Sequence, residues 1–301
     1  MNIVIFGAGA IGSLLGALLA KKNKIVFVGR TPHITCIQKK GITIKGKTHL
    51  SFKIPAVESA MDIPFVADLF ILTVKSYDTE TASKEILPYI NDKTIVLSIQ
   101  NGLDNIEKMQ HSIQKNHILA GITMHGTIFS KPGEIIHTGK GETILGELDG
   151  SQSQRLKNLV EVFNEARIKT QISQDIIKEI WIKAIINSSI NPLTAFFGCK
   201  NGYLLENPLL ERITELVCKE SISIASSQGI SLSPLEIIEK TKEVIRNTAM
   251  NHSSMLQSIQ QGKKTEINAI NGKLVKIGTH HKIDTTLNRI LTELITRLSP
   301  S

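Results

Sequence analysis

Lys183, Asn187 and Asn191 recur every four residues within Ile180-Trp181-Ile182-Lys183-Ala184-Ile185-Ile186-Asn187-Ser188-Ser189-Ile190-Asn191-Pro192. Residues four apart share one face of a helix, which is expected to end at Asn191 because a following proline disfavours helical backbone. Almost every position around them is apolar, including Trp181, the only tryptophan of the chain. A polar stripe is ordinarily a solvated face, but a helix that is apolar round most of its circumference is buried. Its stripe is therefore expected to line a cleft. An ammonium in such a place can stabilise a developing negative oxygen and deliver a proton to it. Asparagine amides can hold a carboxylate or a hydroxyl without neutralising the lysine. Protonating an alkoxide is half of a carbonyl reduction, and the other half needs a hydride donor.

The N-terminus supplies a place for one. Gly7-Ala8-Gly9-Ala10-Ile11-Gly12 is a GxGxxG element that follows the strand-like Ile3-Val4-Ile5-Phe6 and opens a Leu/Ala-rich helical stretch. The first glycine permits a tight turn, the second lets a pyrophosphate approach the backbone, and the third allows close helix–strand packing. Unpaired N–H groups at the helix start then face the phosphates. The competing reading is a glycine turn in some other α/β protein. The next strand ends Val26-Phe27-Val28-Gly29-Arg30 without the carboxylate that would bind a ribose 2′-hydroxyl. Arg30 can instead pair with a 2′-phosphate and stack on the adenine, which points to NADP(H), unless it is an ordinary surface arginine. Thr31 is expected to cap the following helix. Lys75 and Asn101-Gly102 follow two further buried strands, at the C-terminal edge where open α/β sheets bind ligands. For Asn101, a plain turn residue is the alternative.

These groups need a scaffold of two kinds. Strand-like runs at Asn2–Phe6, Lys24–Val28, Leu69–Val74, Thr94–Ile99 and Ile118–Met124 alternate with helical stretches at Ala10–Lys21, Pro32–Lys39 and Asp78–Ile90. That alternation predicts a doubly wound α/β domain of the Rossmann type over residues 1–172. Segments 42–57 and 127–146 are expected to be hairpins or edge strands attached to its sheet. From 173 to 301 the pattern is helical, over 175–190, 206–228, 234–249, 254–280 and 284–298, giving an all-helical domain for substrate and catalysis.

Composition narrows the function further. With 41% hydrophobic and 21% charged residues the 301-residue chain is globular. Its net charge of +8 is spread along the chain, and aromatics are only 4%, so a nucleic-acid partner is not expected. The three cysteines include no CxxC pair and the histidines no HExxH, so no disulfide framework or metal is expected and a reducing cytoplasm fits. The uncharged run Ile3–Ala20 is long enough to suggest a membrane helix. It changes from β-branched residues to glycines to Leu/Ala, so strand, turn and helix are expected and no membrane association. The sequence leaves a homo-oligomer open.

The chain resembles the ketopantoate reductase (2-dehydropantoate 2-reductase) family over nearly its whole length. The resemblance is carried by GAGAIG at 7–12, Lys75, Asn101-Gly102, Lys183-x3-Asn187-x3-Asn191-Pro192-Leu193-Thr194-Ala195 and Asn201-Gly202. It continues through Ser253-Ser254-Met255-Leu256-Gln257 and Thr265-Glu266-Ile267-x2-Ile270-Asn271-Gly272. It implies reduction of 2-dehydropantoate to (R)-pantoate with NADPH, in pantothenate synthesis, with Lys183 as proton donor. Asn101, Asn187, Asn191, Asn201 and Ser254 then bind substrate beside Lys183. Glu266 contacts the nicotinamide end of the cofactor and orients the lysine, and Lys75, Asn101 and Thr127 join Gly7–Gly12 and Arg30 as cofactor residues. The chain departs from the family at Ser258, where aspartate is common, at Lys200, where proline often stands, and at Gly126-Thr127, where small alanine-like residues are usual. A reductase of another small 2-oxo acid, or a non-catalytic NADP(H) sensor, are the alternatives; a sensor would not need Lys183 or Glu266.

Overall fold

The structure, a computed structural model, describes residues 1–300. The chain divides into two compact units, Met1–Gln100 with Asn105–Glu179, and Asn101–Asp104 with the chain from Ile180 onward.

The first unit is built on twelve strands: β1 (Asn2–Phe6), β2 (Lys24–Val28), β3 (Ile42–Gly46), β4 (Leu50–Phe52), β5 (Ala56–Val57), β6 (Leu69–Leu72), β7 (Ile95–Ser98), β8 (Ile118–Thr123), β9 (Gly126–Lys131), β10 (Glu134–Gly139), β11 (Thr143–Glu147) and β12 (Thr170–Ile172). Its helices are α1 (Ala10–Leu19), α2 (His33–Lys40), α3 (Thr79–Ile86), α4 (Asn105–Gln110) and α5 (Gln154–Glu165). Eight strands form the main sheet in the order β12-β11-β8-β7-β6-β1-β2-β5. From β5 to β8 all neighbours are parallel, and this is the 3-2-1-4-5-6 order of a dinucleotide-binding fold. The continuous apolar runs follow from cover on both faces. Ile3, Ile5, Ile25, Phe27, Leu69 and Ile71 point into one core with Leu14, Leu15 and Phe163. Val4, Phe6, Val26, Phe70 and Leu72 point into the other with Ala82, Ile86 and Met109. The uncharged stretch Ile3–Ala20 is thus strand, turn and helix, and no described helix is long and apolar enough to cross a membrane.

Segments 42–57 and 127–146 form the expected hairpins, β3–β4 and β9–β10, and edge strand β5, but the hairpins are not attached to the main sheet. Only β5 and β11 join the main sheet; β4-β3-β10-β9 form a separate four-stranded sheet packed on α1. Its central pairing, β3 parallel to β10 from Thr43 opposite Glu134 to Gly46 opposite His137, joins residues far apart in sequence, which alternation alone cannot announce.

The second unit is helical, with α6 (Ile176–Phe197, its first turn in the first unit), α7 (Tyr203–Glu206), α8 (Pro208–Ser226), α9 (Pro234–Asn247), α10 (Ser254–Gln260), α11 (Asn271–His280) and α12 (Thr286–Leu298). Two expectations are corrected here. α6 does not end at Asn191 but runs through Pro192 to Phe197. The stretch 254–280 is not one helix: Gly262 turns the chain at φ +62°, and a 3-10 turn at Ile267–Ala269 precedes α11.

Candidate active site

Gly7, Ala8 and Gly9 link β1 to α1. Gly7 has φ +109°, and a Cβ there would lie 2.5 Å from the backbone nitrogen of Val74. At Gly12 a Cβ would meet the Gly7 carbonyl and Thr73 Oγ1, both at 2.4 Å. At Gly9 the nearest atom would be 4.0 Å away. Two glycines thus allow the turn and the helix–strand contact, while the third leaves open space above the backbone. Ala10, Ile11 and Gly12 form the first turn of α1, whose N-cap Gly9 offers no side-chain acceptor. Those N–H groups are placed for an anion. Thr73 Oγ1 donates to the Gly7 carbonyl at 2.7 Å.

A chain of buried polar groups holds the loop from behind. The Gly133 N–H donates to His33 Nδ1 at 2.9 Å, which puts the ring proton on Nε2. Nε2 lies 3.0 Å from Ser13 Oγ, and Ser13 Oγ donates to the Ala8 carbonyl at 3.2 Å. His33 and Ser13 escaped the sequence reading because Gly133 is a hundred residues from His33 and only the second sheet brings them together.

Arg30 follows β2 with its side chain 81% exposed, and its guanidinium donates to Asp78 Oδ2 at 2.9 Å. Thr31 is not a helix cap: α2 starts at His33 with Pro32 in the cap position, and Thr31 Oγ1 donates to Glu58 Oε1 at 2.5 Å. No acidic residue ends β2 itself. Lys75, half-buried, sits beyond β6 at the start of the 3-10 turn Ser76–Asp78. Thr127 lies in β9 opposite His137, in the small sheet. The dinucleotide loop, the exposed arginine and the strand-end lysine all fit a dinucleotide carrying a 2′-phosphate.

In the second unit, α6 is largely buried through its central turns, from Trp181 at 7% exposure through Ser188 and Ser189 at zero, and exposed at its ends, at Lys178, Phe196 and Phe197. Its two serines return their hydroxyls to the Ile185 carbonyl, both at 2.8 Å, and so satisfy themselves within the helix. Lys183 and Asn187 keep partial solvent access, while Asn191 is buried. Burial lowers the Lys183 ammonium to about 8, against the charge of Glu266, which raises it. Glu266 is buried and opens the 3-10 turn Ile267–Ala269, so it is no solvated helix carboxylate.

The segment Asn101–Asp104 groups with these helices: Leu103 N–H donates to the Ala269 carbonyl at 3.0 Å. A Cβ on Gly102, whose φ is +105°, would lie 2.9 Å from Ala269 Cβ. Asn101 therefore precedes a glycine that lets its loop seat on the Glu266 turn. Asn201 is buried; its Nδ2 donates to Thr248 Oγ1 at 2.9 Å, and its Oδ1 has no hydrogen-bond partner. Ser253 caps α10 and receives the Thr194 hydroxyl at 2.8 Å, which leaves Ser254 exposed as the first helical residue. Among the described residues no three His, Cys, Asp or Glu side chains gather where a metal could be held.

The chain matches the family described as "Ketopantoate reductase PanE/ApbA" over residues 3–150, and the C-terminal part of the same family over residues 175–299. It is 38% identical to a 2-dehydropantoate 2-reductase of Pyrococcus horikoshii, over 98% of this chain and 96% of that one. The structure of D-mandelate dehydrogenase with NADH and anilino(oxo)acetate is similar at a TM-score of 0.94 and 25% identity, over 99% of this chain and 98% of that one. A PanE/ApbA family ketopantoate reductase from Ralstonia eutropha JMP134 gives 0.90 at 25% identity, with the same coverage.

Proposed function

The chain belongs to the ketopantoate reductase PanE/ApbA family, and we propose that it reduces 2-dehydropantoate to (R)-pantoate with NADPH, in pantothenate synthesis. It is an oxidoreductase. The observation that carries the assignment is Lys183, an ammonium lowered by burial to about 8 and placed on the central turns of a helix that pack largely into the core. A donor whose proton affinity lies near neutral pH loses its proton to an alkoxide readily and regains it from water.

Residues 1–172 hold the cofactor and residues 173–301 the substrate and the proton donor, with Asn101 joining the substrate group. The N–H groups of Gly7–Gly12 would hold the pyrophosphate, Arg30 the 2′-phosphate, and Lys75 and Thr127 further parts of the dinucleotide. A bound NADPH would supply the hydride for the carbonyl carbon of the substrate. Lys183 Nζ would give its proton to the alkoxide oxygen, and the negative charge of Glu266 favours the ammonium form that donates it. Asn101, Asn187 and Asn191 donate amide N–H groups to the substrate carboxylate and carbonyl oxygen. Asn201 Oδ1 accepts from the substrate hydroxyl, and Ser254 adds a hydroxyl contact. The free cysteines Cys36, Cys199 and Cys218 suit a reducing cytoplasm, with a small 2-oxo acid as partner.

NADPH oxidation assayed against 2-dehydropantoate and a panel of branched and aryl 2-oxo acids tests the substrate. The expected result is the highest kcat/KM for 2-dehydropantoate. The likeness to D-mandelate dehydrogenase favours, as second reading, a reductase of another 2-oxo acid; a tenfold preference for an aryl 2-oxo acid would establish it.

Cofactor choice is tested at Arg30. Its ion pair with Asp78 is too exposed to contribute much to stability, so Arg30→Ala should unfold at an unchanged temperature. Loss of a charge-assisted phosphate contact should weaken NADPH binding by about 1.5–3 kcal/mol and leave NADH nearly unaffected. Equal weakening of both cofactors in a fluorescence titration would remove Arg30 from the 2′-phosphate.

Substrate holding is tested by alanine at Asn187, Asn191 and Ser254. Each variant should raise KM for the oxo acid with NADPH affinity of the free enzyme unchanged. Ser254→Ala, at an exposed position, should also leave stability unchanged, whereas buried Asn191→Ala should lower it. Loss of NADPH binding in all three would move them to the cofactor side.

A further inference from the structure

The family segment from Thr265 to Gly272 contains an asparagine that the mechanism does not use. Asn271 opens α11 and is completely buried, where an amide is costly unless its groups are bonded. The geometry around it fixes which way the amide points. The Glu220 carboxylate on α8 accepts the backbone N–H groups of Leu287 and Asn288 at 2.9 and 2.8 Å, and Asn288 Nδ2 at 2.8 Å. An ionised carboxylate only accepts, so Asn288 must turn its NH2 towards Glu220 and Ser221 and its Oδ1 towards Asn271. Asn271 answers with its own NH2: one N–H donates to Asn288 Oδ1 at 2.9 Å, the other to the Ser188 carbonyl at 3.0 Å.

The Ser188 carbonyl is the acceptor that the N–H of residue 192 would fill in a regular helix. Residue 192 is proline, inside α6, and has no N–H to give. Asn271 supplies the missing donor from another element. Ser188 directly follows Asn187 and lies five residues beyond Lys183. Asn271 is joined to Glu266 by a single 3-10 turn, in which the N–H groups of Ala269 and Ile270 both return to the Glu266 carbonyl, at 3.0 and 3.2 Å. Asn271 Oδ1 is left buried without a partner. Its position is explained by the two donors alone, since an apolar side chain would avoid that cost.

We propose that Asn271 is a positioning residue for the reduction: it replaces the amide N–H that Pro192 lacks, and thereby locks the turn carrying Glu266 onto the helix carrying Lys183, Asn187 and Asn191. The proposal rests on the assignment of Lys183 and Glu266 to catalysis. Two functions meet in one hydrogen bond, satisfaction of a buried carbonyl and registration of two site segments, and they can be separated. Pro192→Ala returns an N–H to the Ser188 carbonyl from within α6, so it restores the first function and not the second.

The experiment is a double-mutant cycle of Asn271→Ala and Pro192→Ala, read by urea unfolding and by single-turnover hydride transfer to 2-dehydropantoate. The stability cost of Asn271→Ala should be smaller in the Pro192→Ala background. Its effect on hydride transfer, a loss of roughly 10- to 100-fold for a displaced proton-donor pair, should be the same in both backgrounds, with NADPH Kd unchanged. If Asn271→Ala alone does not fold, the comparison of Pro192→Ala with Pro192→Ala/Asn271→Ala carries the same test. Hydride transfer that recovers in step with stability, or that never falls, overturns the positioning role. Glu266→Gln in the same assay separates this from the premise. If Glu266→Gln transfers hydride normally, the assignment of the site fails and takes the proposal with it. A defective Glu266→Gln beside an undisturbed double variant overturns only the role of Asn271.

Discussion

Lys183→Ala is expected to slow single-turnover hydride transfer by roughly 10²–10⁴-fold, the range for loss of a general acid. The protein should still fold, because removing a buried ammonium also removes its desolvation cost. It should still bind NADPH, because the glycine loop and Arg30 belong to the other unit. The measurement is the transient decay of NADPH absorbance on mixing with 2-dehydropantoate, since slow product release would hide the chemical step in steady-state turnover. Glu266→Ala should also slow transfer. Lys183→Ala/Glu266→Ala should lose less than the product of the two single effects, as groups that act together do. Near-normal transfer in a folded Lys183→Ala enzyme would return the α6 stripe to a structural role.

The second large effect is in the pH profile. Lys183 is lowered to about 8, mainly by burial, and the reduction uses its protonated form. Reduction should therefore be level below pH 8 and fall about tenfold per pH unit above it. Oxidation of pantoate needs the neutral amine and should rise through the same range. Glu266 opposes the lowering, so Glu266→Gln should move the alkaline limb of reduction to lower pH. A limb that moves upward in Glu266→Gln, or one that stays in Lys183→Ala, would show that another group is titrating. Linkage gives the same sign in stability. A lysine that loses its proton more readily in the folded state leaves the unfolded chain binding more protons above pH 8. Its contribution to stability therefore grows as pH rises from about 8 towards 10.5, the ordinary lysine value.

How much of the site was legible depends on how local its physics is. The α6 stripe could be read because a four-residue period and an apolar surround are properties of one helix, and the structure leaves Lys183 and Asn187 as its partly accessible polar residues. Ser254 and Glu266 carried no such signal. An exposed serine at a helix start and an acid before a short turn look ordinary in any sequence, and only the family motifs singled them out. The end of α6 lies beyond Asn191 for a related reason. Pro192 removes a donor, which locally argues for a helix end, but the carbonyl it leaves is satisfied by Asn271, 83 residues from Ser188.

The dinucleotide fold and its polarity are written locally in the chain. Strands covered on both faces must be continuously apolar, a GxGxxG turn must follow the first of them, and the residue ending the second must suit the cofactor's ribose, so each choice is written within a few residues. Contacts across long separations come only from the folded arrangement. It made a second sheet from β3 and β10, fixed the His33 tautomer through Gly133, paired Arg30 with Asp78 and oriented the Asn288–Asn271 amides from Glu220. Hydrogen bonds between distant side chains leave no period in the sequence, because each needs only one residue of the right type and the fold chooses its partner.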